Sequence, residues 1–320
     1  MEKSELIYGY YFNDGKQPEK ISSLEMLDTS RPYWLHFNYT LETTKNWLEQ
    51  HSLINPVVIN ALLNEETRPR ATAIDDGILI SLRGVNLAPT SNPEDMVSIR
   101  LWLTKDKVIS TRNRTLLSVQ NIADEMENGS GPQTSSELVT SLTDKLISRI
   151  SDTVNEIEDK VSEIEENILT SSNYNLRNEL SDIRRQIISL RRYLSPQKEA
   201  MIQMLSQNIK CFSIEEKIQL RETMDHLTRY IEDLDSIKDR AAVSQEELNN
   251  NLAEQMNNRM YVLSIVAAIF LPLGFLTGLW GVNVGGIPGT DSSNGFSLFM
   301  LLLVCVVTIQ VWFFRKKKWF

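Results

Sequence analysis

The residues best suited to chemistry form a neutral loop, Gly281-Val282-Asn283, between two long apolar runs near the C-terminus. Asn283 offers an amide carbonyl oxygen without a charge. A ring of such oxygens can hydrogen-bond the water shell of a divalent cation without removing it. Gly281 allows a tight turn that a residue with a Cβ resists. The tripeptide alone favours a plainer interpretation, a Gly/Asn cap at the C-terminal end of a helix.

A second candidate set precedes the loop at spacings of three, four or seven residues, which keep its members on one face of a helix. Small residues on a membrane helix permit close helix packing, and small and polar residues can instead line a water-filled path. Gly274 and Gly278 alone are typical of packing, whereas the amides of Asn250 and Asn257 favour a pore. The stripe consists of Asn250, Asn257, Met260, Ser264, Ala267, Leu271, Gly274 and Gly278.

The flanking segments predict two membrane helices, at 260–280 and 296–314. No charged residue lies between Arg259 and Asp291, or between Asp291 and Arg315. Each apolar run is about 20 residues long, enough to cross the hydrocarbon core of a bilayer. A pair of buried core helices is the alternative, but the length of both runs and the aromatic residues at their ends favour the membrane.

Basic residues predict the orientation of this hairpin. Arg315, Lys316, Lys317 and Lys318 follow the second run directly, and Arg259 precedes the first. Because basic flanks stay in the cytoplasm, we expect the loop 281–295 outside and the tail 315–320 inside. Two helices cannot enclose a pathway, whereas a ring of first helices from several identical subunits can. Pro272 would interrupt the helix near the Ala268 carbonyl and could serve as a bend.

The part of the chain before the membrane is predicted to be α+β. Residues 1–130 form an α/β domain with a mixed sheet, because β-rich runs alternate with turn signals and short helical patterns near 41–51 and 56–64. The linker is Asn-Gly-Ser-Gly-Pro at 128–132. The β-rich runs are LIYGYYF (6–12), YWLHFNY (33–39), ILISLRGV (78–85), VSIRLWL (97–103) and KVISTR (107–112).

A helical stalk is predicted for residues 131–259. Apolar residues recur every three or four positions from Leu138 to Ile168 and again over 176–194, which indicates a helical hairpin ended by Ser195-Pro196. Ser213-Ile214-Glu215-Glu216 has the form of a capping box and predicts one helix from about 214 to about 280. Its heptad positions pack on the hairpin of the same chain, in a coiled coil, or in both ways on different faces of the helix. They are Leu220, Leu227, Leu234, Ala241 and Leu248.

Composition excludes several classes of function. The 320 residues carry 42 acidic against 33 basic side chains, a net charge of -9, which argues against a nucleic-acid partner. The N-terminus has no apolar segment typical of a signal peptide. We find no phosphate loop and no nucleophile with a base, so we expect no enzymatic activity and no cofactor. A scaffold anchored in the membrane lipid remains a rival, and a lack of ion flux would support it.

Metal-binding side chains are sparse. His36, His51 and His226 do not pair at ligand spacing, and there is no Cys-x-x-Cys, so a high-affinity zinc site of His and Cys is not expected. Acidic residues on the long helix form either a solvated face or an acidic funnel that gathers cations by its field. They are Glu215, Glu216, Glu222, Asp225, Glu232, Asp233 and Asp235.

With Gly-x-Asn between two C-terminal membrane helices after a long helical body, the whole chain resembles the CorA family of metal ion transporters. Five stretches make it most similar to the zinc-transporting ZntB branch of that family. They are ETRPR (66–70), LRGVNL (82–87), PEDMVSIRLW (93–102), RRYLSPQ (191–197) and GVNVGGIPG (281–289).

The resemblance implies a funnel-shaped homopentamer in the bacterial inner membrane, with both termini in the cytoplasm. It places Gly281, Val282 and Asn283 as the selectivity element at the periplasmic mouth, and the stripe along the pore. Magnesium-type members usually follow the motif with Met-Pro-Glu, whereas this loop reads Gly-Gly-Ile-Pro-Gly, with Asp291 as its only acid. The expected cargo is therefore a divalent cation, zinc before magnesium or cobalt, with direction and proton coupling open.

Overall fold

The computed structural model of the chain describes residues 6–13, 17–50, 54–65, 67–89, 91–170, 174–206, 209–282 and 293–317. The chain divides into two compact units, Met1–Glu246 and Glu247–Phe320. Within the described residues, the first unit contains one sheet of seven strands. The strands are β1 (Leu6–Tyr11), β2 (Glu19–Lys20), β3 (Tyr33–Asn38), β4 (Arg70–Ile74), β5 (Gly77–Gly84), β6 (Val97–Leu103) and β7 (Lys107–Arg112).

Helices account for most of the remaining described chain. A single 3-10 turn, Leu24–Met26, lies between β2 and β3. The last two helices contribute to the second unit, α6 only from Glu247 onward. The α-helices are α1 (Glu42–Gln50), α2 (Pro56–Leu63), α3 (Leu117–Glu127), α4 (Ser135–Thr170), α5 (Tyr174–Met204), α6 (Ile214–Trp280) and α7 (Gly295–Lys316).

The sheet is mixed, as the sequence predicted. Its order is β2-β1-β3-β7-β6-β5-β4. Strands β3 and β7 pair in parallel, with Leu35 opposite Ile109, and the other neighbours are antiparallel. All five predicted β-rich runs are confirmed as strands. The sequence did not predict β2, β4 or α3.

Two apolar layers cover the two faces of the sheet. On one face, Leu48 of α1 and Leu62 of α2 pack with Leu35 and Ile109 of the central strands. The other face carries α3, the start of α4 and the end of α5, and Leu220 of α6 joins this cluster. The sheet is therefore covered by helices on both sides, which explains why its central strands are buried at nearly every position.

The first stalk helix is confirmed, and the Asn-Gly-Ser-Gly-Pro segment at 128–132 lies in the connection before it. Gly129 has a φ of +74°, a left-handed conformation that favours glycine, and α4 begins shortly after it. The apolar positions from Leu138 to Ile168 are buried along α4. The predicted helix break at 171–173 lies outside the described residues.

One stalk prediction is wrong: the second stalk helix does not end at Ser195-Pro196, because α5 continues to Met204. Gln197 is fully buried, and its Oε1 accepts a hydrogen bond from the backbone N–H of Arg83 in β5 at 2.7 Å. Burial of this last stretch outweighs the one backbone hydrogen bond that Pro196 cannot donate. Three apolar residues are buried with it, Ala200, Met201 and Met204.

The capping box at the start of α6 is confirmed in both directions. The Ser213 N–H donates to Glu216 Oε2 at 2.6 Å, and the Glu216 N–H donates to Ser213 Oγ at 3.2 Å. In the first unit, the heptad positions of α6 are buried within the single chain, which confirms packing on the chain's own elements. They are Leu220, Leu227, Leu234 and Ala241.

The second unit holds the membrane segments. Among the described residues, α6 and α7 are the helices that contain a stretch long and apolar enough to cross a membrane. In α6 that stretch lies beyond Arg259, where the charged residues end. Neither stretch is buried inside the single chain, so the alternative of two core helices of a soluble protein does not fit.

Candidate ion pathway

The stripe of small and polar residues lies on an exposed face of α6. All eight members are exposed in the single chain, including the large apolar side chains of Met260 and Leu271, which are 59% and 72% exposed. A Cβ added at Gly274 or Gly278 would meet nothing within 4 Å among the described atoms. These two glycines therefore do not serve helix packing inside one chain.

A different side of α6 contacts α7. Ile265 is buried, and Ala268 and Pro272 are half-buried. Gln310 of α7 donates a hydrogen bond from Nε2 to the Ala268 carbonyl at 3.3 Å. Successive residues in an α-helix are about 100° apart around the axis, so this side is distinct from the stripe. The second helix supports α6 and leaves most of the stripe open, with Gly274 lining a groove beside Val304 and Val307 of α7.

In the apolar part of α6, two hydroxyl groups donate their protons to carbonyls of the helix itself. Ser264 Oγ donates to the Met260 carbonyl at 2.8 Å. Thr277 Oγ1 lies 2.9 Å from the Leu273 carbonyl and 3.1 Å from that of Gly274. Because the proton of Ser264 is used in this way, its oxygen is left on the exposed stripe as an acceptor. An acceptor suits the water shell of a cation.

At the end of α6, Gly281 closes the helix. Its N–H donates to the carbonyl of Thr277 at 2.9 Å and to that of Gly278 at 3.2 Å. A Cβ at this position would lie 2.9 Å from the Thr277 oxygen, so the backbone here requires glycine. Gly281 therefore lies at the C-terminal end of α6, as the helix-cap interpretation predicts, but without the left-handed φ typical of a glycine cap. Val282 is exposed, and Asn283 lies outside the described residues.

Two of the seven acidic residues on the stalk part of α6 are engaged in structural contacts. Glu216 belongs to the capping box and also accepts a hydrogen bond from Ser136 Oγ at 2.7 Å. Asp235 pairs with Arg191 of α5 at 2.7 Å and with Lys238 at 3.1 Å. The other five are exposed, which fits either a solvated face or an acidic funnel. They are Glu215, Glu222, Asp225, Glu232 and Asp233.

The two described histidines, His36 and His226, do not gather into a metal site. His36 in β3 is fully buried, with Nδ1 2.7 Å from Ser110 Oγ. Burial, and secondarily the charge of Arg112, hold the pKa of His36 well below its usual range, so the ring is neutral. His226 is exposed on α6, and His51 lies outside the described residues. In the described part of the chain no group of three or more His, Cys, Asp or Glu could hold a metal ion.

Sequence reasoning missed Gln310. Its signal was present, because it is the one amide in the apolar run 296–314, and a polar side chain at membrane depth is expensive unless it has a partner. The partner, the carbonyl of Ala268, lies 42 residues earlier in the chain. No spacing rule links two positions so far apart.

The sequence model of the family described as "CorA-like Mg2+ transporter protein" matches residues 29–316. The chain belongs to the CorA family. This confirms the resemblance noted in the sequence, and the match includes both CorA-type membrane helices.

Named CorA-type relatives span nearly the full chain. The zinc transport protein ZntB of Yersinia pseudotuberculosis is 32% identical over 319 residues, covering 100% of this chain and 97% of the relative. The divalent cation transporter CmaX of Pseudomonas aeruginosa is 36% identical over 327 residues, covering 98% and 96%. A solved structure described as the full-length CmaX protein superposes with a TM-score of 0.85 at 35% identity, covering 100% of each chain. The fold is therefore that of a CorA/ZntB-like chain.

Proposed function

We propose that this chain transports divalent cations, zinc foremost, across the bacterial inner membrane through a central pore of a homopentamer. Family membership supports cation transport, and the names of the ZntB and CmaX relatives support a divalent cargo that includes zinc. The subunit count and the funnel shape are carried over from the family resemblance.

The observation that carries the proposal is the exposed stripe on α6. Most of its polar and small residues lie on a face that α7 leaves open, and beyond Arg259 the rest of the helix is mostly apolar. Cyclic symmetry would repeat each member around the axis as a ring. The amides of Asn250 and Asn257 and the oxygen of Ser264 would then face the path, followed by the side chain of Leu271 and the glycines near the mouth.

At the mouth, Gly281 ends the helix and would present Asn283 as a ring of neutral amide oxygens. Such a ring can hold a hydrated divalent cation through its water shell. The loop contains only one acid, Asp291, which separates it from the Met-Pro-Glu loop of magnesium-type members. Magnesium and cobalt are the alternative cargo, and their flux is measured beside that of zinc.

Basic and aromatic residues support the orientation. Arg315 and Lys316 end α7 in exposed positions, and Lys316 Nζ lies 5.0 Å from the centre of the Trp312 ring. Trp and Lys together are typical of a membrane boundary. With Arg259 before the first span, they support cytoplasmic N- and C-termini, helices at 260–280 and 296–314, and an outer loop at 281–295.

The driving force is an ion gradient or the membrane potential, since the sequence has no phosphate-binding loop for hydrolysis. The stripe contains no titratable side chain. Any proton coupling would therefore use cytoplasmic carboxylates or histidine, and His226 is the exposed histidine among the described residues.

Zinc uptake into proteoliposomes that contain a zinc-sensitive dye tests the proposal, with and without an imposed pH gradient. We expect zinc flux that falls by roughly tenfold or more in Asn283→Ala, because the ring of amide oxygens is lost. Asn257→Ala and Asn258→Ala form a matched pair: both residues are exposed amides, but only Asn257 belongs to the stripe. Asn257→Ala should reduce flux and Asn258→Ala should not.

The outcomes distinguish the alternatives. A response to the pH gradient means proton-linked transport, and indifference to it means a channel driven by potential and concentration. Flux of magnesium without zinc would assign the chain to the magnesium-type function. No flux of zinc, magnesium or cobalt would contradict transport and favour the membrane-anchored scaffold.

A further inference from the structure

A proline interrupts the hydrogen bonding of α6 inside its membrane segment. Pro272 has no N–H and cannot donate to the carbonyl of Ala268, four residues earlier. Both residues are half-buried on the side that contacts α7. In a membrane an unpaired carbonyl is costly, because no water is available to replace the missing donor. The freed oxygen of Ala268 therefore requires a donor from elsewhere.

Gln310 of α7 supplies that donor. Its Nε2 donates to the Ala268 carbonyl at 3.3 Å. Other polar side chains of these segments behave differently, since Ser264 and Thr308 each donate to a carbonyl of their own helix, at 2.8 Å and 2.7 Å. Gln310 instead joins the two helices at the point where the backbone ladder of α6 is broken.

The position of this contact relates it to the pathway. Ala267 and Leu271, two members of the stripe, directly precede Ala268 and Pro272 in the chain. A change in the bend of α6 at Pro272 would therefore shift both stripe residues. On the basis of the proposed function, we propose that Gln310 is a positioning residue for the ion pathway. It fastens α7 to the carbonyl that Pro272 frees and so holds the pore-lining helix in one bend.

The geometry of Gln310 permits a clean test. Its Oε1 is buried and has no hydrogen-bond partner among the described residues. A side chain without a donor at position 310 therefore removes one hydrogen bond, the one from Nε2 to the Ala268 carbonyl. Methionine has a similar length and no donor. In Gln310→Met, only the Ala268 carbonyl loses its partner, and Pro272→Ala would return one, because residue 272 would again carry an N–H.

The experiment is a double-mutant cycle on the full-length chain, with native protein, Gln310→Met, Pro272→Ala and the double variant. The first readout is the thermal midpoint of the detergent-solubilised protein, which needs no ion flux. We expect Gln310→Met to lower the midpoint by about 2–4 °C in the native background and to leave it nearly unchanged in the Pro272→Ala background. Thr308→Val is the control, because its hydroxyl bonds within α7, and its effect should be the same in both backgrounds.

The second readout is zinc flux in proteoliposomes. Gln310→Met should lower the maximal flux severalfold and leave the zinc concentration at half-maximal flux unchanged, since the mouth motif is intact. A general structural defect would move neither readout in this background-dependent way. An equal loss in both backgrounds, or no loss in the native background, would overturn the inference.

Should Gln310→Met fail to assemble, recovery of folded protein in the double variant becomes the measurement. Recovery supports the hydrogen bond to Ala268, and failure of both variants contradicts it. Because the thermal cycle is independent of transport, a positive cycle in a protein without flux would retain the hydrogen bond and refute only the transport function.

Discussion

The heptad leucines and the apolar stripe residues of α6 differ sharply in burial. In the first unit, Leu227 and Leu234 are fully buried within the single chain. In the second unit, Met260 and Leu271 lie on an open face of the same helix. The heptad spacing of the stalk is thus used for packing inside one subunit. It carries no count of subunits, and the face available for the pathway begins only where the heptads end.

The contrast is equally clear for polar groups. In the stalk, Arg240 of α6 reaches Glu165, Glu158 and Ser162 of α4. On the stripe, the exposed amides of Asn250 and Asn257 have no charged neighbour in the stripe itself. One part of α6 is specified by contacts within the chain, and the other presents groups that suit water and cations. Matched substitutions in the two parts of the helix test this difference.

The largest effect is expected from a pair of leucines. Leu234→Ala removes a fully buried side chain and should destabilise the stalk by about 2–5 kcal/mol, through lost burial and the cavity left behind. Leu271→Ala removes a side chain that is 72% exposed and should change stability by less than about 0.5 kcal/mol, while altering zinc flux. Hydrogen exchange of peptides covering 225–245 and 260–280 in the reconstituted protein measures the change in stability for both variants.

Leu227→Ala is the control for the buried member, since it is equally buried and should behave like Leu234→Ala. Equal destabilisation by Leu271→Ala would mean that the stripe packs against protein in the assembly. That result would contradict a water-filled path along this face.

An effect of intermediate size is expected on the pH dependence of stability, which should differ between the first unit and the stripe. Because burial lowers the pKa of His36 below its ordinary value, the unfolded chain binds a proton below about pH 6.5 that the fold rejects. Stability of the first unit should therefore decrease as pH falls through that range, by at most about 1.4 kcal/mol per pH unit from this residue. The stripe has no titratable group and should contribute no such slope.

Unfolding of the full chain at pH 7.5, 6.5 and 5.5, followed by near-UV circular dichroism, measures this slope. His36→Gln retains a polar side chain that can bond Ser110 and should reduce the slope below pH 6.5. His226→Gln is the matched control, because His226 is exposed and its loss should leave the slope unchanged. An unaltered slope in His36→Gln would show that other groups carry the acid sensitivity.

Local patterns predicted most of this fold. The Ser213–Glu216 capping box and the five β-rich runs formed as expected because each depends on neighbours in sequence. Strand β4 was missed because it is an edge strand with mostly exposed residues. The prediction that α5 ends at Pro196 was wrong, because burial against the sheet, a tertiary effect, decides where α5 ends.

The candidate site divides in the same way. The stripe could be predicted from spacing, and the consequence of Pro272 for the Ala268 carbonyl could be predicted from the chemistry of proline. The residue that donates to this carbonyl could not be predicted, because Gln310 becomes a neighbour of Ala268 only when α7 packs on α6. Subunit rings and the mouth formed by Asn283 depend on other copies of the chain, and they remain predictions for the flux experiment.

The smallest expected effect concerns the charged contact that fastens the stalk part of α6 to α4. Arg240 forms a fork to Glu165, with Nε to Oε1 at 3.2 Å and Nη2 to Oε2 at 2.6 Å. Lysine cannot form two parallel bonds, so Arg240→Lys should cost about 1 kcal/mol in a site that is about one-third exposed. Hydrogen exchange of the 225–245 peptides measures the cost.

Arg185→Lys is the control, because Arg185 pairs with Asp182 inside α5 with both side chains about 70% exposed, and its substitution should change little. High salt should shrink the Arg240→Lys effect only in part, since partly buried pairs are screened less than exposed ones. A cost that vanishes in salt, or one equal to that of Arg185→Lys, would mean that the leucines alone hold α6 to the stalk. Apolar packing alone would then hold the stalk part of α6 in place, and the charged residues would contribute only to solubility.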